Sequence, residues 1–376
     1  MKLDKIDTCP GTLAKGYTTY SPICLRRVFG GKKVSHILPF NPPEINEEVA
    51  EKFIENRKRI SISGVQEKLS FLLDKNHLRL TTEGEQGTYI LKPIPRDLDK
   101  VDQVPANEHL TMQIARQVYG LNTAENAMIF FQNGSPAYIT LRFDVKADGT
   151  KWGMEDFASI AGKTKDNDGP NFKYNYSYEG IGELIQKYIP AWPVEIEKYF
   201  SLVVFNYLLS NGDAHLKNFS VLEAPEGDNL MSPAYDLINT SLHVKDTGLA
   251  LKLFADNTQS PLFKKSGQPY KEDFIELGRR IGIPEKRIEK LLAPFLTRQA
   301  EVGDLINRSF LSDSSKKTYL LSYNTKLNLL NREHELRIFR RCVSRNCHST
   351  CTGGDRMGDS ICLEARDLRS FWSPGP

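Results

Sequence analysis

The sequence predicts an α+β fold of two lobes, in which a strand-rich lobe is followed by a helical lobe. The chain has 376 residues, more than one ordinary hydrophobic core accommodates. Short apolar runs of strand character dominate up to residue 145, and apolar residues at helical spacing dominate from Glu155 onward. Because strands and helices that segregate along a chain form separate layers, we expect a cleft between the two lobes.

The first lobe is expected to cover residues 1–145. Its strands are predicted over residues 59–73, 77–80, 88–91, 127–131 and 137–143, the last two joined by a hairpin turn. Ile45, Val49 and Phe53 recur at helical spacing, which predicts a helix that begins near Glu44. A second helix is predicted over residues 106–119, and Gly120 is expected to end it.

The second lobe is expected to cover residues 146–331, followed by a tail. Its helices are predicted over residues 180–188, 195–209, 271–281 and 284–293, and a strand hairpin over residues 218–222 and 229–231. Residues 332–376 are rich in Arg, Cys, Gly and Ser and show no apolar periodicity. We therefore expect this tail to be poorly ordered.

The composition argues against several classes of protein. The formal net charge is +3 and the charges are dispersed, so direct nucleic-acid binding is not expected. No apolar run approaches the roughly 18 residues of a membrane span, and the first residues lack the apolar segment of a signal peptide. We therefore expect a cytoplasmic protein. The late cysteines lack a C-x-x-C pair, which favours free thiols over zinc; they are Cys342, Cys347, Cys351 and Cys362, with His348 nearby.

The most informative segment is Asn-Gly-Asp-Ala-His-Leu-Lys-Asn-Phe-Ser at residues 211–220, between an apolar helix and a strand. Asp213 and Asn218 are five positions apart, which is the spacing of Asp and Asn in the catalytic loop of protein kinases. Phosphoryl transfer needs a carboxylate near the attacking hydroxyl and an oxygen ligand for magnesium, and this loop offers both. A polar surface turn is the alternative, because Asn, Gly and Asp favour turns.

Asp236 follows the predicted hairpin, between Tyr235 and Leu237, and comes 18 residues after Asn218. Protein kinases place the magnesium-binding Asp of their D-F-G motif at such a position. Magnesium prefers one or two carboxylates together with phosphate oxygens and water, which Asp236 and Asn218 would complement. The alternative interpretation is an Asp that caps a helix.

Two further features precede the catalytic segment. Residues 61–68 read Ser-Ile-Ser-Gly-Val-Gln-Glu-Lys, and their backbone N–H groups could cradle phosphates. Taken alone, however, the segment is explained better by an ordinary strand kink at Gly64. Lys92 stands among apolar residues of a predicted strand, where a buried ammonium needs a partner. Glu108 of the next helix is the expected partner, as in kinases, whereas a solvent-reaching lysine is the alternative.

The order of these features resembles a known family, the HipA-type toxin kinases. The resemblance covers roughly residues 9–330 and is carried by residues 60–68, 107–108, 141–144, 155–157, 211–220 and 235–236. It implies a two-lobed protein-kinase-like fold that binds ATP and Mg²⁺ in the cleft. It assigns catalysis to Asp213, the base, with His215 and Lys217, and metal binding to Asn218 and Asp236. It assigns nucleotide binding to Ser63, Gly64, Val65, Gln66, Lys68, Lys92, Glu108, Arg142 and Phe143.

The resemblance also implies a biological role, that of the toxin in a toxin–antitoxin system. Such kinases phosphorylate an aminoacyl-tRNA synthetase and are restrained by a DNA-binding antitoxin. Many also phosphorylate their own phosphate loop, where Ser61 and Ser63 stand in this chain. The start of the chain resembles the short form of the family, in which a separate small protein supplies the N-terminal subdomain. A kinase-like regulator without catalysis and a small-molecule or lipid kinase remain alternatives.

Overall fold

The computed structural model describes residues 6–42, 67–95, 98–245 and 248–344, with side chains up to residue 332. The chain divides into two compact units, residues 1–331 and 332–376. Three predicted features lie outside the described residues: the helix near Glu44, the phosphate loop at residues 61–66 and the environment of the late cysteines. Cys9 and Cys24 are described, and both are free and buried. In the described part of the chain, no helix has the length and apolar character needed to cross a membrane.

The first lobe is built on a five-stranded antiparallel sheet with strand order β2-β1-β3-β5-β4. Its strands are β1 (Leu69–Asp74), β2 (His77–Leu80), β3 (Tyr89–Lys92), β4 (Asn126–Phe130) and β5 (Pro136–Leu141). The central strand β3 is covered on both faces, which explains its continuous apolar run. Lys92 ends this strand opposite Tyr138 of β5, so the sheet carries the lysine inward.

Helix α2 (Val104–Gln117) packs against β4 and β5 and joins the sheet to the helical lobe. A proline in its first turn suits the start of a helix, where the missing N–H costs nothing. Almost every side chain of the helix is buried, including the polar Asn107, Glu108 and His109. Several of its apolar residues belong to the same core as the second lobe. The helix therefore holds Glu108 between the two lobes.

The second lobe is mainly helical. Helix α1 (Pro22–Phe29) belongs to the first lobe. The second lobe begins with the helices α3 (Phe157–Ile160), α4 (Lys165–Asp168) and α5 (Tyr178–Tyr188). The later helices are α6 (Trp192–Leu208), α7 (Pro261–Ser266), α8 (Lys271–Arg280), α9 (Glu285–Leu296), α10 (Ala300–Arg308) and α11 (Asp313–Ser344). A small sheet of β6 (Met154–Asp156), β7 (Ser220–Glu223) and β8 (Asn229–Met231) follows the order β6-β7-β8.

Two parts of the sequence prediction differ from this architecture. Helices α1, α3, α4, α7, α10 and α11 were not predicted. All of them except α11 are shorter than ten residues, which gives too few turns to recognise a helical period, and the apolar residues of α11 follow no clear period. Among the residues of α11 whose side chains are described, Leu330 is the last buried one. The helix itself continues to Ser344 and so crosses the predicted boundary at residue 331.

His109 lies inside α2 with its Nε2 atom 3.3 Å from the carbonyl oxygen of Gly11, to which the neutral ring can donate. Burial lowers the pKa of His109 to about 4, against the smaller opposing effect of the Gly11 carbonyl. Between pH 6.5 and about 4, the unfolded chain therefore binds a proton at this residue that the folded chain does not. Stability should fall as the pH is lowered through this window, by about 1.4 kcal/mol per pH unit.

Denaturant unfolding at a series of pH values would measure this slope. His109→Gln should remove the contribution of this residue, so that the loss of stability toward pH 4 becomes shallower. His77→Gln is the matched control, because His77 is exposed on β2. An unchanged slope in His109→Gln would show that the buried histidine does not govern the acid sensitivity.

Candidate active site

The loop between α6 and β7 is held by hydrogen bonds on both sides. Thr240 Oγ1 donates to the carbonyl oxygen of Ser210 and accepts from the backbone N–H of Gly212, both at 2.8 Å. The hydroxyl of Tyr178 donates to the carbonyl oxygen of Ala214 at 3.0 Å. Ser210 has a φ of 53°, a left-handed conformation that turns the chain sharply at the end of the helix. These contacts fix the backbone that carries the predicted catalytic residues.

Asp213 lies in this loop and is largely buried, with 8% of the residue exposed. Its Oδ1 atom accepts a hydrogen bond of 2.5 Å from the hydroxyl of Tyr174. The Nε2 atom of His215 lies 3.8 Å from the same oxygen. The carboxylate is thus contacted from two directions by side chains of the helical lobe.

His215 is buried beside Asp213, and its ring packs edge-on against that of Tyr174 at 5.1 Å between centroids. Burial lowers the pKa of His215 to about 3, and the positive charge of Lys173 lowers it further. The imidazole is therefore neutral at pH 7. A neutral ring can position neighbouring groups, but it brings no positive charge to the site.

Lys92, Glu108 and Asp236 meet in the interior, as the sequence predicted for the first pair. Lys92 Nζ donates to Glu108 Oε1 at 2.6 Å and also to Asp236 Oδ1. The side chains of Lys92 and Glu108 are 5% and 3% exposed. Lys92 Nζ also lies 5.4 Å from the ring centroid of Tyr138, which adds a cation–π contact. A buried lysine with two carboxylate partners stays charged, so this site keeps a positive charge in the cleft.

Asp236 is the electrostatic centre of this cluster. Burial would raise the pKa of Asp236, but the charges of Lys92 and Lys68 outweigh it and hold the pKa at about 2. Lys68 Nζ lies 3.8 Å from Asp236 Oδ2. Burial raises the pKa of Glu108, and its ion pair with Lys92 offsets part of that rise. The lowered pKa of Asp236 therefore keeps this carboxylate ionised at neutral pH.

The backbone of Asp236 is also unusual. Its φ is 54°, in the left-handed region that side chains with a Cβ seldom adopt, although Asp and Asn tolerate it best. The Nδ2 atom of Asn211 lies 3.4 Å from the carbonyl oxygen of Asp236, which links it to the loop of Asp213. Strained conformations of this kind persist where the surrounding structure imposes them, and they cluster at functional sites.

Asn218 and Asp236 suit a magnesium ion in their chemistry. Asn218 Oδ1 is buried and has no hydrogen-bond partner among the described residues. Such an acceptor normally has a partner, so a cation would satisfy it. The described residues hold no group of three or more His, Cys, Asp or Glu side chains that could bind a metal on their own. Magnesium held by a nucleotide needs only one or two protein oxygens, which these two residues can supply.

Three other predicted site residues point to neighbours within the protein. Lys217 is nearly half exposed, and its Nζ atom lies 2.9 Å from Asp156 Oδ2. The guanidinium of Arg142 binds Asp144 with two hydrogen bonds of 2.9 and 2.5 Å. The ring of Phe143 packs on that of Tyr235 at 5.8 Å between centroids. Ser61, Ser63, Gly64, Val65 and Gln66 lie outside the described residues.

The sequence did not predict the roles of Tyr174, Lys173, Tyr138 and Thr240 in this site. Tyr174 stands 39 positions before Asp213, and the two meet only because the segment before α5 folds onto the loop. A tyrosine in a stretch of Asn, Lys and Tyr residues shows no local signal of such a contact. A contact between residues so far apart in the sequence depends on how the chain packs, and the spacing of residue types along the sequence does not predict it.

The fold and the site together define a protein of kinase-like architecture. A model of the HipA-like C-terminal domain family matches residues 60–302, which is well over half of the chain. The chain therefore belongs to this family, and the resemblance read from the sequence is confirmed.

Two relatives, named "Putative kinase" and "Putative kinase Y4dM", match the chain over much of its length. One, from Haemophilus influenzae, is 28% identical over 328 residues, which cover 83% of this chain and 92% of the relative. The other, from Sinorhizobium fredii, is 29% identical over 262 residues, which cover 66% of this chain and 59% of the relative.

A solved structure supports the fold. The chain superposes with a TM-score of 0.55 on one chain of a solved structure, that of the toxin–antitoxin complex of HipA, HipB and operator DNA from Shewanella oneidensis MR-1. The sequence identity is 21%, and the match covers 77% of this chain and 71% of the other. The predicted α+β fold with a kinase-like, two-lobed architecture is confirmed.

Proposed function

We propose that this protein is an ATP-dependent serine/threonine protein kinase. The observation that carries the proposal is the meeting of Lys92, Glu108 and Asp236 next to the loop of Asp213 and Asn218. The cluster contains a buried cation and an ionised carboxylate, and Asn211 links it to the loop. The loop itself carries the hydrogen-bonded carboxylate of Asp213 and the orphaned amide oxygen of Asn218. Kinases need the same set of groups for phosphate binding, metal binding and the orientation of the attacking hydroxyl.

Each of these residues would have a separate role in phosphoryl transfer. Lys92, held by Glu108, would bind nucleotide phosphates, and Lys68 would approach them from the phosphate loop. Asp213 would accept a hydrogen bond from the substrate hydroxyl and orient its oxygen toward the phosphorus. Asn218 Oδ1 and the Asp236 carboxylate would hold magnesium, which when bound offsets the negative charge of the phosphates.

We further propose the biological setting of a toxin–antitoxin system. The family and the solved HipA complex support a DNA-binding antitoxin as partner. A separate small protein that supplies an N-terminal subdomain would be a second partner. An aminoacyl-tRNA synthetase is the protein substrate that the family resemblance suggests. A small-molecule or lipid kinase is the competing function, and the site chemistry is the same for both.

Incubation of the purified protein with γ-labelled ATP and Mg²⁺ tests the proposal. Label should appear on Ser or Thr of the chain itself, and of one synthetase in a panel of purified aminoacyl-tRNA synthetases. Label found only on lipids or small metabolites would favour the competing function. Absence of label on every acceptor would contradict kinase activity.

Self-phosphorylation should fall on Ser61 or Ser63 of the phosphate loop. A phosphate there carries roughly −1.5 to −2 charges and would compete with nucleotide phosphates for Lys68 and the loop N–H groups. We therefore expect the phosphorylated form to bind ATP more weakly, by about tenfold or more. Mass spectrometry locates the phosphate, calorimetry measures the affinity, and the Ser61→Ala, Ser63→Ala double variant is the control. Label on other residues alone, or equal affinities, would contradict self-inhibition.

A further inference from the structure

Tyr174 makes the shortest described side-chain contact to Asp213. It lies at the end of a 3₁₀ helix (Phe172–Tyr174) that follows α4 and precedes α5. Its hydroxyl donates to Asp213 Oδ1 at 2.5 Å, and its ring meets His215 edge-on at an interplanar angle of 79°. A hydrogen bond from a neutral donor to a carboxylate is stronger than one between neutral groups.

The segment that carries Tyr174 makes hydrogen bonds and an ion pair on both sides of this residue. Lys163 Nζ pairs with Asp168 Oδ1 at 2.6 Å before it. After it, Ser177 caps α5, and the backbone N–H of Tyr178 donates to the carbonyl oxygen of Lys252 at 2.9 Å. The first contact orders the segment locally, and the contact with Lys252 attaches it to another part of the helical lobe.

Two described neighbours of Asp213 approach the same oxygen atom of its carboxylate. Tyr174 donates to Oδ1, and His215 Nε2 lies 3.8 Å from that same Oδ1. An Asp carboxylate turns easily about its last side-chain bond, since that torsion has broad minima. Two neighbours on one oxygen restrict this rotation and define the plane in which the carboxylate meets other groups.

We propose that Tyr174 is a positioning residue for phosphoryl transfer, whose hydroxyl holds the Asp213 carboxylate in the orientation needed to receive the acceptor hydroxyl. This inference rests on the proposed kinase function. Misplacement of a reacting group by about 1 Å can cost about a hundredfold in rate. Loss of the phenol hydroxyl should therefore act on turnover and leave nucleotide binding intact. The opposite possibility is that Tyr174 occupies the place of the acceptor hydroxyl and blocks it.

Tyr174→Phe separates these outcomes, because it keeps the ring against His215 and removes only the donor. The measured quantities are the initial rate of label incorporation into the chain at saturating Mg-ATP, the KM for ATP and the melting temperature. We expect a rate reduced by about tenfold to a hundredfold, with KM and melting temperature unchanged. Tyr176→Phe, two residues along on the same segment and without a described contact to Asp213, should retain the wild-type rate.

Three results would overturn the inference. An unchanged rate in Tyr174→Phe, with an active wild type, would remove Tyr174 from the reaction and leave the kinase function standing. A faster rate would show that the hydroxyl blocks the acceptor position. An inactive wild type would overturn the kinase function and this inference together.

Discussion

Asp213→Asn is expected to slow phosphoryl transfer by about a thousandfold while the protein remains folded. The substitution keeps the volume and shape of the side chain and removes only its negative charge. The amide oxygen can still accept the hydrogen bond from Tyr174, so the loop should keep its conformation. What is lost is the carboxylate that accepts a hydrogen bond from the attacking hydroxyl and draws its proton as transfer proceeds.

Label transfer from γ-labelled ATP measures the rate, and calorimetry measures nucleotide affinity. The affinity of Asp213→Asn for Mg-ATP should lie close to that of the wild type, because this residue is not assigned to the metal. Asp228→Asn is the matched control, since Asp228 is exposed in the turn between β7 and β8. Transfer at the wild-type rate by purified Asp213→Asn would refute the assignment of this residue as the base.

Asp236→Asn should abolish most of the magnesium dependence of ATP binding and lower turnover by about a hundredfold. In the structure, the carboxylate of Asp236 is neutralised by Lys92 and Lys68. A metal-bound nucleotide must compete with these two lysines for the carboxylate, and its own phosphates can take over the lysines in return. Without the carboxylate, the lysines remain available to phosphates, but the metal loses its charged ligand.

Calorimetry with ATP in the presence of Mg²⁺ and in the presence of a chelator measures this directly. We expect the wild type to bind ATP much more tightly with magnesium, and Asp236→Asn to bind about equally under both conditions. In the presence of the chelator, metal-free ATP should bind the variant at least as well as it binds the wild type. The reason is that the repulsion between the Asp236 carboxylate and the nucleotide phosphates is removed. The variant should fold, since Asn tolerates the left-handed φ of this position. A magnesium response equal to that of the wild type would place the metal elsewhere.

Much of the fold was predictable from local patterns. Strands β2 to β5 and the helices α2, α5, α6, α8 and α9 appear within a few residues of their predicted bounds. The strand predicted over residues 59–73 is described only as β1, which begins at Leu69. Alternating or continuous apolar residues and the turn residues between them are properties of short windows, and they depend little on the rest of the chain. Helix α10 was missed because it is short, and α11 because its apolar residues follow no single helical period.

Asp213, Asn218, Asp236, Lys92 and Glu108 could be singled out because their types and order match the needs of phosphoryl transfer. The pairing of Lys92 with Glu108 followed from the cost of an unpaired buried ammonium, and the structure contains it. These conclusions depend on which residues the chain contains and in what order, and a sequence states both.

The tertiary structure alone decided how these groups are held. Lys92 and Asp236 are 144 positions apart, and the structure brings them together through the packing of the two lobes. Packing likewise brings Lys217 to Asp156 and the hydroxyl of Tyr174 to Asp213. Side-chain partners of this kind form where distant segments meet, and the energy of each contact depends on burial and distance that no local pattern of residues contains.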